Sequence, residues 1–269
     1  TSRLRSSTAT TPPNCMVTFS ICNTFSPTNG KVEFMGEVIA ENHPQGKMKK
    51  LYAGENMGMY TDVVSYTPDV ITSKGIARTF QNIRLFNNMS VIRNVMVGLH
   101  NQKEFKCSPF ASMLRLPAHF KCERAMREKA KEILRIVGLE DERNNLACNL
   151  PYGKQRKLEI ARALATNPKL LLLDEHTAAL DPKTAKKALD LTEKIVAENH
   201  LTTIMITHNM KDAINIGNRL VMMNDGKIIY DVQGEEKKKL TTADLLAKFK
   251  LTSGEELEDD KILLSEAEE

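Results

Sequence analysis

Residues 170–175 (LLLLDE) constrain the fold of this chain more than any other segment. Four consecutive leucines run directly into two carboxylates, Asp174 and Glu175. Such an uninterrupted aliphatic run is typical of a strand buried on both faces of a parallel sheet, and open α/β sheets carry their sites at the carboxyl ends of such strands. We therefore predict a central strand that delivers two acidic side chains to a sheet edge. The alternative is a core strand followed by an ordinary polar turn.

The sequence after this run alternates between helical and strand patterns. A helix is predicted to begin at Asp181 and Pro182, and a short apolar strand follows at residues 203–206. A strand, a helix and a strand at this spacing form a βαβ unit, whose strands are parallel. Residues 219–223 and 227–232 flank Asn-Asp-Gly, which predicts a hairpin.

The sequence before residue 170 contains fewer strand patterns. Val32 and Phe34 predict a short strand, and the polar sequence from there to residue 56 is interpreted as an insertion or loop. Residues 76–80 predict a second strand. Ser90 is a candidate N-cap of one helix, and a second helix is expected to end at Gly138.

Further polar residues are expected at the same sheet edge. His208 follows the strand at residues 203–206, and Gln81 follows the strand at residues 76–80. Because the carboxyl ends of parallel strands meet at one edge, we expect His208 to lie near the two carboxylates. The amide oxygen of Gln81 is suited to reach a metal or its bound water.

A glycine-containing segment, residues 150–155 (LPYGKQ), precedes a helix predicted at about residues 157–165. Gly153 allows backbone amides to approach an anion at the start of that helix. Phosphate is the ligand that this arrangement predicts.

Composition excludes several other classes. With 41% hydrophobic and 27% charged residues, the chain is neither collagen-like nor disordered. No apolar stretch approaches the roughly 18 residues of a spanning helix. The five cysteines contain no C-x-x-C pair, which favours a reducing compartment over disulfides or zinc. The net charge of +4 does not separate nucleic-acid binding from anion binding.

The sequence contains, in this order, a glutamine after a strand, L-x-Y-G-x-Q before a helix, LLLLDE, A-L-D and T-H. Together these motifs resemble those of the ATP-binding subunits of ABC transporters. The resemblance covers roughly residue 31 to the C-terminus. Residues 75–86 and 150–165 are most similar to the ATPases of branched-chain amino-acid importers. From Asp174 onward the sequence resembles another group of bacterial importer ATPases, although His176 stands where most of the family has proline.

The resemblance implies an α/β, P-loop NTPase-like fold with a parallel sheet core and a helical subdomain. It also implies ATP as the nucleotide, Mg²⁺ as the metal, and phosphoryl transfer to water as the reaction. The roles that it implies are Asp174 and Gln81 for Mg²⁺, Glu175 for the attacking water, His208 near the γ-phosphate, Asp181 in the D-loop at a dimer interface, and Gly153, Lys154 and Gln155 in a signature loop over the partner's nucleotide.

The same resemblance implies partners, a location and an organisation along the chain. The partners are permease membrane subunits and a second ATPase subunit, identical or different, on the cytoplasmic face of the plasma membrane, with no nucleic acid expected. The predicted parts are a degenerate N-terminal segment (1–30), a first core part (31–85), a helical subdomain with the signature loop (86–155), a second core part (156–235), and a C-terminal helix with an acidic tail (236–269).

The family's phosphate-binding loop, G-x-x-x-x-G-K-[ST], does not occur in the sequence. Alignment of residues 27–30 with the turn that follows the loop's helix places Asn14 at the lysine position and Cys15 at a hydroxyl position. The prolines at residues 12–13 replace glycines and lack the amide donors that a phosphate cradle requires. We therefore expect the first strand and the phosphate loop to be degenerate or missing.

Three hypotheses account for this loss. The first is a truncated or altered N-terminus on an importer ATPase, which the retention of Asp174, Glu175 and His208 favours. The second is a non-hydrolysing relative that serves as a structural or regulatory partner of the membrane subunits. The third is a soluble ABC-type protein acting on nucleic acid or ribosomes, which would normally show two nucleotide-binding units or a basic linker. Whether the chain hydrolyses ATP stays open at this point.

Overall fold

The computed structural model describes residues 30–42, 63–105, 114, 116–175, 180–224 and 227–253. They belong to two compact units, one including the described residues up to Ile206 and the other those from Thr207. The predicted phosphate-loop position at Asn14 and Cys15, His176 and the acidic tail after residue 253 lie outside the described residues. None of the helices within these ranges combines the length and apolar character needed to cross a bilayer.

An antiparallel sheet opens the first unit. Its strands, in spatial order, are β1 (Gly30–Phe34), β2 (Glu37–Asn42) and β3 (Val64–Ser65). Met35 and Gly36 have φ angles of 53° and 84°, the two positive values that a tight hairpin turn requires. The prediction of a loop directly after Phe34 is therefore wrong, because this turn returns the chain as β2. The helix α1 (Pro68–Ser73) follows β3.

Three longer helices lie farther along the first unit. Their buried side chains share one hydrophobic core, which contains Val95, Leu134 and Leu158. Gly138, with φ at 67°, ends the second of them as predicted. The helices are α2 (Val91–Leu99), α3 (Pro117–Ile136) and α4 (Tyr152–Leu164), with short 3₁₀ segments at Lys103–Phe105 and Ala147–Asn149.

The predicted parallel sheet is confirmed. Its strands are β4 (Ile76–Arg78), β5 (Leu170–Asp174) and β6 (Thr202–Ile206), with β5 in the middle. The helix α5 (Pro182–Glu198) connects β5 to β6, which completes the predicted βαβ unit. The three carboxyl ends therefore meet at one edge.

Both faces of β5 are buried, which explains its uninterrupted leucines. Leu170 and Leu172 pack in a cluster with Phe34 of β1, whereas Leu171 and Leu173 pack in another with Ala163 of α4. Full burial of a leucine contributes about 1.5–3 kcal/mol relative to exposure, so the run anchors the strand that ends at Asp174.

The second unit contains the predicted hairpin, β7 (Arg219–Asn224) and β8 (Lys227–Gln233), whose antiparallel pairing is confirmed. Its helices are α6 (Met210–Asn215), α7 (Glu235–Lys238) and α8 (Thr242–Ser253). The buried ammonium of Lys237 donates hydrogen bonds to the carbonyl oxygens of Ile214 at 2.7 Å and Ile216 at 2.6 Å. This lysine therefore joins α7 to the carboxyl end of α6.

Candidate functional site

Two carboxylates occupy the carboxyl end of β5. Asp174 is 7% exposed, and its Oδ2 accepts a hydrogen bond from Nη2 of Arg78 at 2.7 Å. Glu175 follows with a φ of 42°, in the left-handed region, and its N–H donates to the carbonyl oxygen of Ile206 at 3.0 Å. The ladder of β5 and β6 thus extends one residue past the strand and fixes the backbone of Glu175.

Gln81 lies against Glu175. Its side-chain Nε2 donates a hydrogen bond to Oε2 of Glu175 at 2.9 Å. The structure therefore brings Gln81 and Glu175 together across 94 residues of sequence. The metal ligand predicted from the sequence is the amide oxygen of Gln81, whereas this contact uses the amide nitrogen.

Two charged residues of α4 hold the backbone that carries Gln81. Arg156 donates from Nη1 to the carbonyl oxygen of Phe80 at 2.6 Å and from Nη2 to that of Gln81. Oε1 of Glu159 accepts from the N–H of Phe80 at 3.2 Å, while its Oε2 pairs with Arg156 at 3.0 Å. Burial raises the pKa of Glu159, and the hydrogen bond from Phe80 and the charge of Arg156 oppose that rise.

Sequence analysis missed Arg156 and Glu159. A signal existed, since the two charges are three residues apart on a helix whose neighbouring positions Leu158 and Ile160 are apolar and buried. Each of the two charged residues is 2% exposed. Charged side chains are almost never fully buried unless they are paired, and Arg156 and Glu159 are paired with each other.

The glycine-containing segment is helical rather than a loop before a helix. The helix α4 begins at Tyr152, about five residues earlier than predicted, and the N–H groups of Lys154 and Gln155 donate to the carbonyl oxygen of Pro151 at 2.9 and 3.0 Å. The prediction of the helix start is therefore wrong. Pro151 takes the N-cap position with extended backbone, so the turn forms directly after it.

Each residue predicted for the signature loop has a neighbour within the chain. Lys154 forms an ion pair with Glu142, and Nε2 of Gln155 donates to the carbonyl oxygen of Leu150 at 2.8 Å. A Cβ atom on Gly153 would lie 2.8 Å from Cγ2 of Thr184, so a larger residue there would require the Thr184 side chain or one of the two helices to shift. Binding of an anion at this turn stays a prediction.

Asp181 caps α5 as predicted. Its Oδ2 accepts a hydrogen bond from the N–H of Thr184 at 3.0 Å. The hydrogen bonds with Thr184 hold the pKa of Asp181 below its ordinary value of 3.8. Its proposed role at a dimer interface is not addressed by this contact.

The capping contact predicts a pH effect on α5. A carboxyl group whose pKa is lower in the folded chain stabilises it above the ordinary pKa, and this stabilisation is lost as pH falls through the folded value. We expect the Thr184 amide to lose hydrogen-exchange protection only below pH 3.8. An NMR titration measures this, and Asp181→Asn, which retains an acceptor without a titrating group, serves as control. Loss of protection at the same pH in both proteins would contradict the assignment.

His208 belongs to the second unit, two residues before α6. The next residue, Asn209, caps this helix by accepting from the N–H groups of Lys211 and Asp212. Burial raises the pKa of Asp212, and the charge of His208 acts in the opposite direction. The predicted proximity of His208 to the carboxylates of β5 stays a prediction.

The oxygen atoms at the edge of β5 suit magnesium. Within the described ranges, no group of three or more His, Cys, Asp or Glu side chains is placed to hold a metal ion. Magnesium is usually bound by one or two carboxylates, with waters and substrate phosphates completing its octahedron, so a closed protein cage is not required. Asp174 and the amide oxygen of Gln81 fit that requirement, with one oxygen of Asp174 already bonded to Arg78.

Comparisons with known proteins give a consistent result. A family model described as ABC transporter matches residues 16–178. The chain is 37% identical over 166 residues to LivG of Salmonella typhimurium, a high-affinity branched-chain amino acid transport ATP-binding protein. It is 36% identical over 179 residues to a tyrosine transport ATP-binding protein of Clostridioides difficile, covering 65% of this chain and 66% of that one. The alignment with LivG covers 62% of this chain and 64% of LivG, so the chain spans less than two thirds of that relative.

Solved structures show the same fold. The ADP conformation of an ATP-binding cassette of an ABC transporter superposes with a TM-score of 0.64 at 26% identity, covering 89% of this chain and 83% of that one. A nucleotide-free ATP-binding cassette superposes with a TM-score of 0.59 at 26% identity, covering 83% of this chain and 77% of that one. The architecture of an ABC ATPase cassette, inferred above from sequence motifs, is confirmed.

Proposed function

This chain belongs to the ABC transporter family, and from that membership we propose that it is the ATP-binding subunit of an amino-acid importer, of the branched-chain type. The observation that carries the proposal is the edge of the parallel sheet, where Asp174 ends β5 and Gln81 is hydrogen-bonded to Glu175 at 2.9 Å. The similarity to LivG supports the choice of solute class.

The residues of this edge support phosphoryl transfer to water. Glu175 orients and polarises the attacking water, and Gln81 donates a hydrogen bond to one oxygen of its carboxylate. Asp174 and Gln81 would hold Mg²⁺, which would neutralise charge on the phosphates. Phosphoryl transfer depends mainly on positioning and electrostatics, so fixed side chains at a rigid strand end suit it.

Three further groups complete the proposal. His208 acts near the γ-phosphate, and Asp181 acts at the interface with a second ATPase subunit. Gly153, Lys154 and Gln155, in the first turn of α4, cover a nucleotide held by that subunit. The subunit pair works with permease subunits at the cytoplasmic face of the plasma membrane and has no nucleic-acid partner.

We expect this chain to bind ATP weakly and to hydrolyse it slowly, because the sequence contains neither the lysine nor the glycines of the phosphate loop. Phosphate release with Mg²⁺ and ATP measures turnover, and binding of a fluorescent ATP analogue measures affinity. Glu175→Gln is the control, and any slow hydrolysis at this site should fall to the background rate in it, because Glu175 orients the attacking water. Robust hydrolysis that Glu175→Gln abolishes would show that the chain does not need this loop.

A second candidate function is a non-hydrolysing partner of the permease, which the missing phosphate loop favours. Co-purification with the permease subunits encoded beside its gene distinguishes the candidates when it is combined with the hydrolysis assay. Binding to the permease without hydrolysis supports the second candidate. Failure to bind any importer permease overturns both.

A further inference from the structure

We propose that Arg156 and Glu159 of α4 are positioning residues that set Gln81 against Glu175, and that Tyr152 connects this pair to the first turn of the helix. The inference deepens the proposed function, on which it rests for the role of Glu175. The contacts themselves require no nucleotide.

Arg156 and Glu159 bind the backbone directly after the hydrogen-bond ladder of β4 ends. The last ladder bond of β4 joins the N–H of Thr79 to the carbonyl oxygen of Leu172 at 2.9 Å. Beyond it, the N–H and carbonyl of Phe80 and the carbonyl of Gln81 are held by side chains of Glu159 and Arg156. These two side chains therefore supply the hydrogen bonds that position the backbone after β4.

The pair is better suited to positioning than to stabilisation. Desolvation of two charges offsets most of their attraction, and a buried ion pair is often no more stabilising than apolar residues of the same size. The planar guanidinium, however, presents several N–H donors in fixed directions, and two of them here reach consecutive carbonyl oxygens. Two directional hydrogen bonds from one planar group specify the position of a peptide group more narrowly than an apolar contact does.

Gln81 is thereby held at both ends. Its carbonyl oxygen accepts from Arg156, and its side chain donates to Glu175 at 2.9 Å. The backbone of Glu175 is fixed in turn by Ile206. A shift of the Gln81 peptide by about 1 Å would stretch the contact with Glu175 beyond hydrogen-bond distance.

Tyr152 connects the buried Arg156 to the surface. Its hydroxyl lies 3.1 Å from Nη2 of Arg156, and the guanidinium lies 5.5 Å from its ring centroid. Tyr152 is 41% exposed and directly precedes Gly153, whereas Arg156 is 2% exposed. A molecule that contacts Tyr152 in the first turn of α4 therefore touches a side chain bonded to Nη2 of Arg156. The same nitrogen donates to the carbonyl oxygen of Gln81.

The test follows the side-chain amide of Gln81 by NMR in protein labelled with ¹⁵N-glutamine, which gives five side-chain signals for five glutamines. Gln81→Asn identifies the signal, and Glu175→Ala gives its position without the acceptor. The test variants are Tyr152→Phe and Arg156→Met/Glu159→Gln. The matched control is Lys129→Met/Glu132→Gln on α3, an exposed pair with the same spacing of three residues.

We expect the Gln81 signal of Arg156→Met/Glu159→Gln to move most of the way to its position in Glu175→Ala. Tyr152→Phe should move it in the same direction by a smaller amount, and the control should not move it. Each double variant gains a sixth glutamine signal from its Glu→Gln substitution. A general loss of stability would not select the Gln81 signal among the five that all the proteins with Gln81 share. An unchanged signal in the folded double variant overturns the positioning role.

Tyr152→Phe keeps the proposal falsifiable if the double variant does not fold, since it removes one hydroxyl from a residue that is 41% exposed and keeps the ring. An unchanged Gln81 signal in this variant overturns the connection to the first turn. The proposed function is tested separately, by binding of ATP and of a permease. The shifts of the Gln81 signal can be measured whether or not the chain binds either of them.

Discussion

We expect Arg156→Met to lower the free energy of unfolding by about 3–5 kcal/mol, the cost of removing one partner from a buried ion pair. The substitution leaves Glu159, which is 2% exposed, without its counter-charge. It also removes the donors to the carbonyl oxygens of Phe80 and Gln81. Urea unfolding followed by circular dichroism measures the change, with the slope of the transition compared between the two proteins.

Two comparisons separate this effect from loss of packing. Arg156→Met/Glu159→Gln should recover part of the loss, because no uncompensated charge stays buried. Lys129→Met, which removes a half-exposed partner of Glu132, should change stability by less than about 1 kcal/mol. If Arg156→Met is as mild as Lys129→Met, Glu159 does not depend on Arg156 as its counter-charge.

The same variant should show an altered pH dependence. Without Arg156, burial raises the pKa of Glu159 further above its ordinary value of 4.5. The folded chain then holds the proton more tightly than the unfolded chain, so stability falls as pH rises through this range. The deficit of Arg156→Met should therefore be smaller at about pH 5 than at about pH 8. A deficit that grows towards acid pH would contradict this assignment.

Gly98→Ala is expected to lower the free energy of unfolding by about 2–3 kcal/mol through overpacking. The added Cβ would lie 2.6 Å from the carbonyl oxygen of Arg162 and 2.8 Å from Cβ of Ala165. Alanine normally favours a helix over glycine, so propensity alone predicts the opposite sign. Here α2 and α4 must separate, and the core that they share would lose contact.

Val97→Ala is the matched control for this prediction. Val97 is 36% exposed and lies next to Gly98 on α2, so its truncation should change stability by less than about 0.5 kcal/mol. Thermal and urea unfolding of both variants give the comparison. Stabilisation by Gly98→Ala would show that the two helices are not in close contact in solution.

Some elements of this fold are specified by local sequence, and others depend on contacts that are distant along the chain. The strand β5 and the cap at Asp181 were predictable, because an aliphatic run and an Asp-Pro pair are local signals. The start of α4 was predicted too late, since Tyr152 and Gly153 have no strong helical preference and only the N-cap geometry at Pro151 sets the first turn. The strand β2 was missed because its turn, Met35-Gly36, has one residue with a weak turn preference.

The sequence by itself determined the family, the central strand and the presence of two carboxylates at its end, because aliphatic runs and motif order are written along the chain. It also showed that the phosphate loop is absent from these 269 residues. Only the tertiary structure decided what holds Gln81 against Glu175, since Arg156 and Glu159 lie 75 to 79 residues away along the chain from the groups that they hold. Burial turns these two charges from ordinary surface residues of a helix into hydrogen-bond partners of one short segment, and burial depends on packing that local sequence does not encode.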